Sequence, residues 1–291
     1  MRRARVASIA VLVCTFGLVI SPAASASRAG VFAYVHKTGH ARPRHDFSVT
    51  ARCPSGFDAV GSGGSVASRR AAIAADHLAD LDADGTPNDG VTAGGHNNSR
   101  DRVAVSSVAI CLDTTATAGV HYGVLTPPSG VPTGTGVFTS EPCPGATDAL
   151  LGGGEGFLGP SFVGQTLDYV MRTADLNSGQ KYWAVEAENN SGSHQTVGVE
   201  AACVGSLERT VTRVDAQRTV RPGHTASLKA SCPRTSHVTD GGFNLAAGVL
   251  LASLPIDGRD RDHAPDDGWK VRAKNTGANA NTLTVFALCA G

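Results

Sequence analysis

The sequence predicts an all-β protein of three tandem antiparallel β-sandwich-like modules, each with one internal disulfide. Three observations predict it. Six of the seven cysteines fall into three pairs, Cys53 and Cys111, Cys143 and Cys203, Cys232 and Cys289, spaced 58, 60 and 57 positions apart. The first cysteine of each pair opens a Cys-Pro step, and an asparagine (Asn97, Asn189, Asn275) stands 14 residues before each closing cysteine. Such regularity marks an internal repeat, and evenly paired cysteines in an exported chain read as a disulfide framework. The third observation is period-two alternation near the end of each unit, the mark of a half-buried strand.

Residues 1–26 read as a signal peptide. Arg2, Arg3 and Arg5 form its charged region, Val6–Ile20 its apolar run, and Ala24-Ser25-Ala26 a small-residue cleavage site with the cut after Ala26. The apolar run is shorter than a membrane span needs, and no second run follows. Cys14 follows Val13 rather than the small residue of a lipoprotein signal. Secretion to an oxidising, extracellular place is therefore expected, where disulfides persist. The whole chain carries 25 Lys and Arg against 25 Asp and Glu; without the three signal arginines the balance is 22 against 25, a net charge of −3. That excludes the basic footprint of a nucleic-acid binder. Arginine outnumbers lysine 20 to 5, as GC-rich bacterial coding gives.

The units follow in order. Residues 27–112 form β repeat 1, 113–136 a Thr-, Gly- and Pro-rich linker with the first strand of repeat 2, 137–204 β repeat 2, and 205–291 β repeat 3. In repeat 3, Trp269, Val271, Ala273 and Asn275 alternate with Lys270, Arg272 and Lys274; in repeat 2, Trp183, Val185, Ala187 and Asn189 alternate with Ala184, Glu186 and Glu188; repeat 1 keeps the register with Val91, Ala93, Gly95 and Asn97. The closing strands alternate likewise through Cys111, Cys203 and Cys289, with one face buried and one wet. Ala71–Leu81 has helical propensity, but it aligns with the strand-like Gly248–Leu254 and is read as a strand. Each unit then holds six or seven short strands, a usual count for a small sandwich. A disulfide closing so long a loop contributes ~4 kcal/mol in the chain-entropy model. Modules in a row and modules around one axis both fit the spacing.

The sharpest local motif is Asp80-Leu81-Asp82-Ala83-Asp84-Gly85-Thr86-Pro87-Asn88-Asp89. Carboxylates at positions 1, 3 and 5 with glycine at 6 suit a hard cation. The stretch resembles the calcium loops of thrombospondin type-3 repeats. The resemblance implies ligation by Asp80, Asp82 and Asp84, with Asn88 or Asp89 completing the shell, although Val91 stands where an EF-hand-like loop has glutamate. Repeat 3 keeps Asp260, Asp262 and Asp267 at matching positions, whereas repeat 2 has Ala174, Leu176 and Lys181. No cofactor is required; calcium is the one ion the loop suits. His36, His40 and His45 cluster in sequence without the further ligands zinc needs. The three asparagines are read as turn residues that adopt a left-handed conformation and bond their own backbone, and Trp183 and Trp269 as core residues rather than sugar platforms.

Catalytic motifs are absent: there is no Gly-x-Ser-x-Gly, no His-Glu-x-x-His and no P-loop, and the carboxylates concentrate in the acidic loop instead of pairing across strands. The function expected is a secreted, non-catalytic repeat protein with a binding or cell-envelope role, calcium-stabilised, with a glycan or cell-surface component as partner. The alternative is a secreted hydrolase whose site is assembled across strands. The opposite charges of Glu186 and Glu188 and of Lys270, Arg272 and Lys274 fit either two unrelated solvated faces or a contact between repeats 2 and 3.

Overall fold

The computed structural model describes residues 25–29, 31–116, 119–125, 129–158, 170–176, 181–189, 192–205, 210–258 and 263–291. All but the last two residues of the expected signal lie outside that set. Among the described residues the chain is all-β apart from one 3₁₀ turn, Thr114–Ala116, and no helix is long and apolar enough to cross a membrane.

The strands in chain order are β1 (Ser25–Ala29), β2 (Phe32–Ala41), β3 (Asp46–Arg52), β4 (Phe57–Val66), β5 (Ala71–Ala79), β6 (Gly90–Asn97) and β7 (Val103–Asp113). Next come β8 (Val120–Val124), β9 (Ser129–Val131), β10 (Thr135–Pro142), β11 (Ala149–Phe157), β12 (Val170–Asp175), β13 (Tyr182–Asn189) and β14 (Gln195–Val204). The last are β15 (Val211–Val220), β16 (Thr225–Ser231), β17 (His237–Asn244), β18 (Gly248–Ile256), β19 (Gly268–Asn275) and β20 (Asn281–Ala290). Ala71–Ala79 is a strand, against its helical propensity, because β6 and β11 supply it with partners on both edges. β1 pairs with β2 as a hairpin, so a cut after Ala26 would fall inside this strand.

Each cysteine-bracketed segment supplies two three-stranded arrangements. The first contains the closing strand at its centre: β2-β7-β4, then β8 and β9 with β14 and β11, then β15-β20-β17. The second contains the alternating strand at its centre: β3-β6-β5, β10-β13-β12 and β16-β19-β18. The disulfides Cys53–Cys111, Cys143–Cys203 and Cys232–Cys289 join the two arrangements within each segment. The backbone N–H of Cys53, Cys143 and Cys232 donates to the carbonyl of Asp89, Lys181 and Asp267, fixing the Cys-Pro step against the entry to the alternating strand.

The segments join edge to edge. β5 pairs with β11 and β18 with β4, fusing the small sheets into larger ones, and β12 lies against β17. Segment 1 thus meets segment 2, segment 2 meets segment 3, and segment 3 returns to segment 1. The hydrophobic core is one continuous cluster drawn from all three.

This corrects the expectation of a wet outer face on the closing strands. Val108, Ile110 and Leu112 are buried alongside Ser107, Ala109 and Cys111, and β14 and β20 are buried on both faces in the same way. Their second face packs against a neighbouring segment: Tyr34 on β2 donates to the Val238 carbonyl at 2.8 Å, Tyr122 on β8 to the Ala59 carbonyl at 2.7 Å, and Trp183 meets Phe286 edge-on. Arg213 holds the corresponding register position on β15, where it pairs with Asp215 and covers the Phe286 ring.

The strands β4, β11 and β17 each carry a bulge at the same point opposite the closing strand. At these bulges the three backbones approach one another. Thr239 Oγ1 donates to the Leu151 carbonyl at 2.6 Å, Ser62 Oγ to the Gly153 carbonyl at 2.8 Å, and the Gly153 N–H to Asp240 Oδ2 at 2.8 Å. There is no room for a side chain at Gly61, whose added Cβ would lie 2.0 Å from the Thr239 carbonyl oxygen.

The three asparagines perform one task three times. Asn97 Nδ2 donates to the carbonyls of Arg42 and Asp101, Asn189 to those of Val131 and Ser193, and Asn275 to those of Val220 and Asn279. Each clamps the end of the segment's first strand to the turn before its closing strand, and all three are buried. None has a positive φ, so the expected left-handed conformation is not adopted. Their value lies in the amide reaching two backbone acceptors at once. Asn275→Ala would strand both carbonyls and is expected to cost ~1–3 kcal/mol, read as a lower urea midpoint with an unchanged slope.

Candidate functional site: a cationic cleft at the β4–β18 seam

β4 and β18 pair at Ser65–Ala252 and Gly64–Ser253. This short pairing makes one face continuous from β2 to β19. Across it the register aligns Thr38, Ser106, Ser65, Ala252 and Arg272, with Leu254 and Lys270 two residues along their strands. A cleft of about 440 Å³ lies on this face. Its polar features are His36, Thr38, the hydroxyl pair Ser65–Ser106 at 2.6 Å, Lys270 and Arg272. Its apolar wall is Val66, Leu254, Pro255 and Ile256. Among the described residues no aspartate or glutamate lines it.

Arg272 crosses the seam, and its Nη2 donates to the Val66 carbonyl. Its Nε is buried without a hydrogen-bond partner. Lys270 is exposed at the rim. Burial lowers the pKa of the His36 imidazole, favouring its neutral form. The cleft therefore holds two fixed positive charges, a neutral ring, hydroxyls and an apolar wall. The positive strip of β19 thus faces segment 1, and the suggested pairing with Glu186 and Glu188 is replaced by the Arg272–Val66 contact.

The β5–β11 seam has different chemistry. There Gly94 pairs with Ala75 as Arg272 pairs with Ala252, Thr92 stands for Lys270, and Gly156 with Gly198 for the serine pair. A Cβ on Gly198 would meet the Leu158 side chain, which occupies this space. Acids are buried beneath. Glu155 and Asp76 are direct cross-strand partners, 3 % and 2 % exposed, and Glu200 is 8 % exposed. This corrects the expectation that no carboxylates pair on facing strands. Trp183 Nε1 donates to Glu155 at 2.8 Å, and Ser62 Oγ to Asp76 at 3.2 Å. Burial raises the Glu200 carboxyl to about 8; the Leu78 N–H opposes the shift and the nearby Asp76 charge adds to it. The signal for this cluster was a lone acid interrupting each of three apolar strands, AAIAADHLA, ALLGGGEGF and QTVGVEAACV.

The acidic loop is partly assembled. Oxygens of Asp80, Asp82 and Asp89 lie within 4.8 Å of one another, the sole such group among the described residues. Asp84 is not among them and accepts from the Thr86 N–H, while Asn88 Nδ2 donates to Asp58. The loop's carboxylates also hold its backbone, Asp80 accepting from Ala83 and Gly85 and Asp89 from Leu81 and Asp82. Asp267 closes the matching turn in segment 3 by accepting from the Gly258 N–H at 2.7 Å, while Asp260 and Asp262 lie outside the described residues. His36, His40 and His45 form no ligand group: His36 lines the cleft, His40 is exposed, and His45 Nδ1 contacts the Pro43 carbonyl. Trp183 and Trp269 are fully buried, and Trp269 Nε1 donates to Ser253.

No protein-family model matches this chain, and no curated protein matches it in sequence.

Proposed function

We propose that this is a secreted, non-catalytic binding protein: three copies of one disulfide-tied sandwich module joined in a ring, with a ligand cleft where the third copy meets the first. The observation that carries this reading is the asymmetry of the seams. Of the two seams formed by strand pairing, one opens a polar-lined cleft; at the other, Leu158 occupies the corresponding face. The volume is within the range of small-molecule sites. The buried Asp76–Glu155 pair is the natural candidate for a hydrolase, but substrate cannot reach carboxylates so closed off. The disulfides support an extracellular location. A glycan partner would have to bind without tryptophan stacking, because both tryptophans are interior.

A thermal-shift screen of envelope saccharides and small organic compounds tests the reading, run in parallel on Ala104→Trp, which blocks the exposed rim of the cleft. Compounds that stabilise the parent but not the variant are expected. Stabilisation that survives the block, or none from any compound, refutes it.

Calcium is the ion this reading places at Asp80, Asp82 and Asp89, with loop carbonyls and water completing an oxygen shell. Millimolar calcium is expected to raise the melting temperature of the parent, since a ligand that binds only the folded state stabilises it. Asp82→Ala should abolish the response. Equal melting temperatures in calcium and chelator would leave the loop as a turn closed by its own carboxylates.

A further inference from the structure

We propose that the β4–β18 cleft takes a small organic acid with one oxyanion head and an apolar body, the head between Lys270 and Arg272 and the body along Leu254, Ile256 and Val66. This rests on the cleft being the binding site. Three features select that class. Among the described residues the lining charge is of one sign, two cations and no acid, so an anion enters without displacing a counter-ion from these residues. Arg272 lines the cleft and gives one N–H to the Val66 carbonyl, which holds the guanidinium in place. A charge-assisted bond from guanidinium to an oxyanion is among the stronger ones. The remaining wall is aliphatic and carries no tryptophan, tyrosine or phenylalanine, which suits a chain or branched hydrocarbon better than a sugar face.

Arginine and lysine divide the work. Arg272, half-buried and braced against segment 1, fixes the head's position, while exposed Lys270 supplies charge at the mouth. The cations come from segment 3, and Val66 with the serine pair from segment 1, so the site exists only when the third segment meets the first.

Isothermal titration of the full-length mature protein with octanoate, octyl sulfate, octanol and inorganic phosphate tests this. Octanoate and octyl sulfate are expected to bind saturably, and octanol and phosphate at least tenfold more weakly, since each lacks one half of the recognition. Lys270→Glu, a surface change, should weaken octanoate at least tenfold and leave the melting temperature unaltered; Arg272→Gln should weaken it further. Octanol binding as tightly as octanoate, octanoate indifferent to Lys270→Glu, or no saturable binding of either anion would overturn the proposal. If other compounds still bind in a manner blocked by Ala104→Trp, the cleft remains a binding site and only the acid class is wrong.

Discussion

Between about pH 6.5 and 8 the protein should lose stability as the pH rises, because one buried carboxyl must give up its proton. Glu200 titrates near 8 in the fold against 4.5 when unfolded. The native state therefore holds a proton that the unfolded state has already released, and stability falls with rising pH until the native carboxyl is ionised. The slope approaches ~1.4 kcal/mol per pH unit, or roughly 2 kcal/mol across the window. Below pH 6.5 the half-buried His36 and His77 act with the opposite sign: burial lowers their folded pKa values, so acid protonates them more readily in the unfolded chain. Maximum stability is thus expected slightly below neutrality. Glu200→Gln keeps an acceptor for the Leu78 N–H and removes the titration, so the slope should vanish and the variant should exceed the parent at pH 8 by on the order of 3 kcal/mol. Urea midpoints of both proteins at pH 6.5, 7.2 and 8 measure this. A parent whose stability is level or rises across that range contradicts a buried, protonated Glu200.

The second large effect is steric. Gly61→Ala puts a methyl 2.0 Å from the Thr239 carbonyl oxygen, and Gly152→Ala puts one 2.5 Å from both Asp240 Cβ and the Val60 carbonyl oxygen. At Gly61 the two nearest atoms are backbone, and at Gly152 the Val60 carbonyl is backbone and Asp240 Cβ is bonded directly to the backbone, so none of these can rotate aside. Either change must force the segments apart, and a loss of more than about 3 kcal/mol is expected, in the upper range for a single substitution. Gly192→Ala is the control, since no atom lies within 4 Å of its added Cβ. Equal midpoints for all three variants would mean that the segments do not meet at their bulges.

The strand content was readable because it rests on local features: alternation in WKVRAKN, Cys-Pro steps and glycine turns. What was not readable depends on distance in sequence. The clamp made by Asn275 uses Val220, 55 residues away, and Arg272 reaches Val66 across 206. Nothing within a segment announces that its edge strand will pair with another segment, so the second buried face of β7, β14 and β20 read as a solvent face. Asp76, Glu155 and Glu200 were visible as single charges, yet only the β5–β11 register brings Asp76 and Glu155 opposite each other. In the acidic loop the composition suggested oxygen ligands but not their spacing: Asp80, Asp82 and Asp89 gather their oxygens, while Asp84 accepts from the Thr86 N–H.

The return of β18 to β4 has a consequence for copy number. In an open stack of repeats each end offers a free edge, and duplication can lengthen the array indefinitely. Here the edge offered by the last segment is taken by the first, as in a rotation that closes on itself. A fourth segment would find no strand to join without opening the β4–β18 pairing, and a single segment cut out would expose β4 and β5 along edges the intact chain covers. Three segments close this geometry, so each can change in sequence while a further one could not be added without breaking the closure.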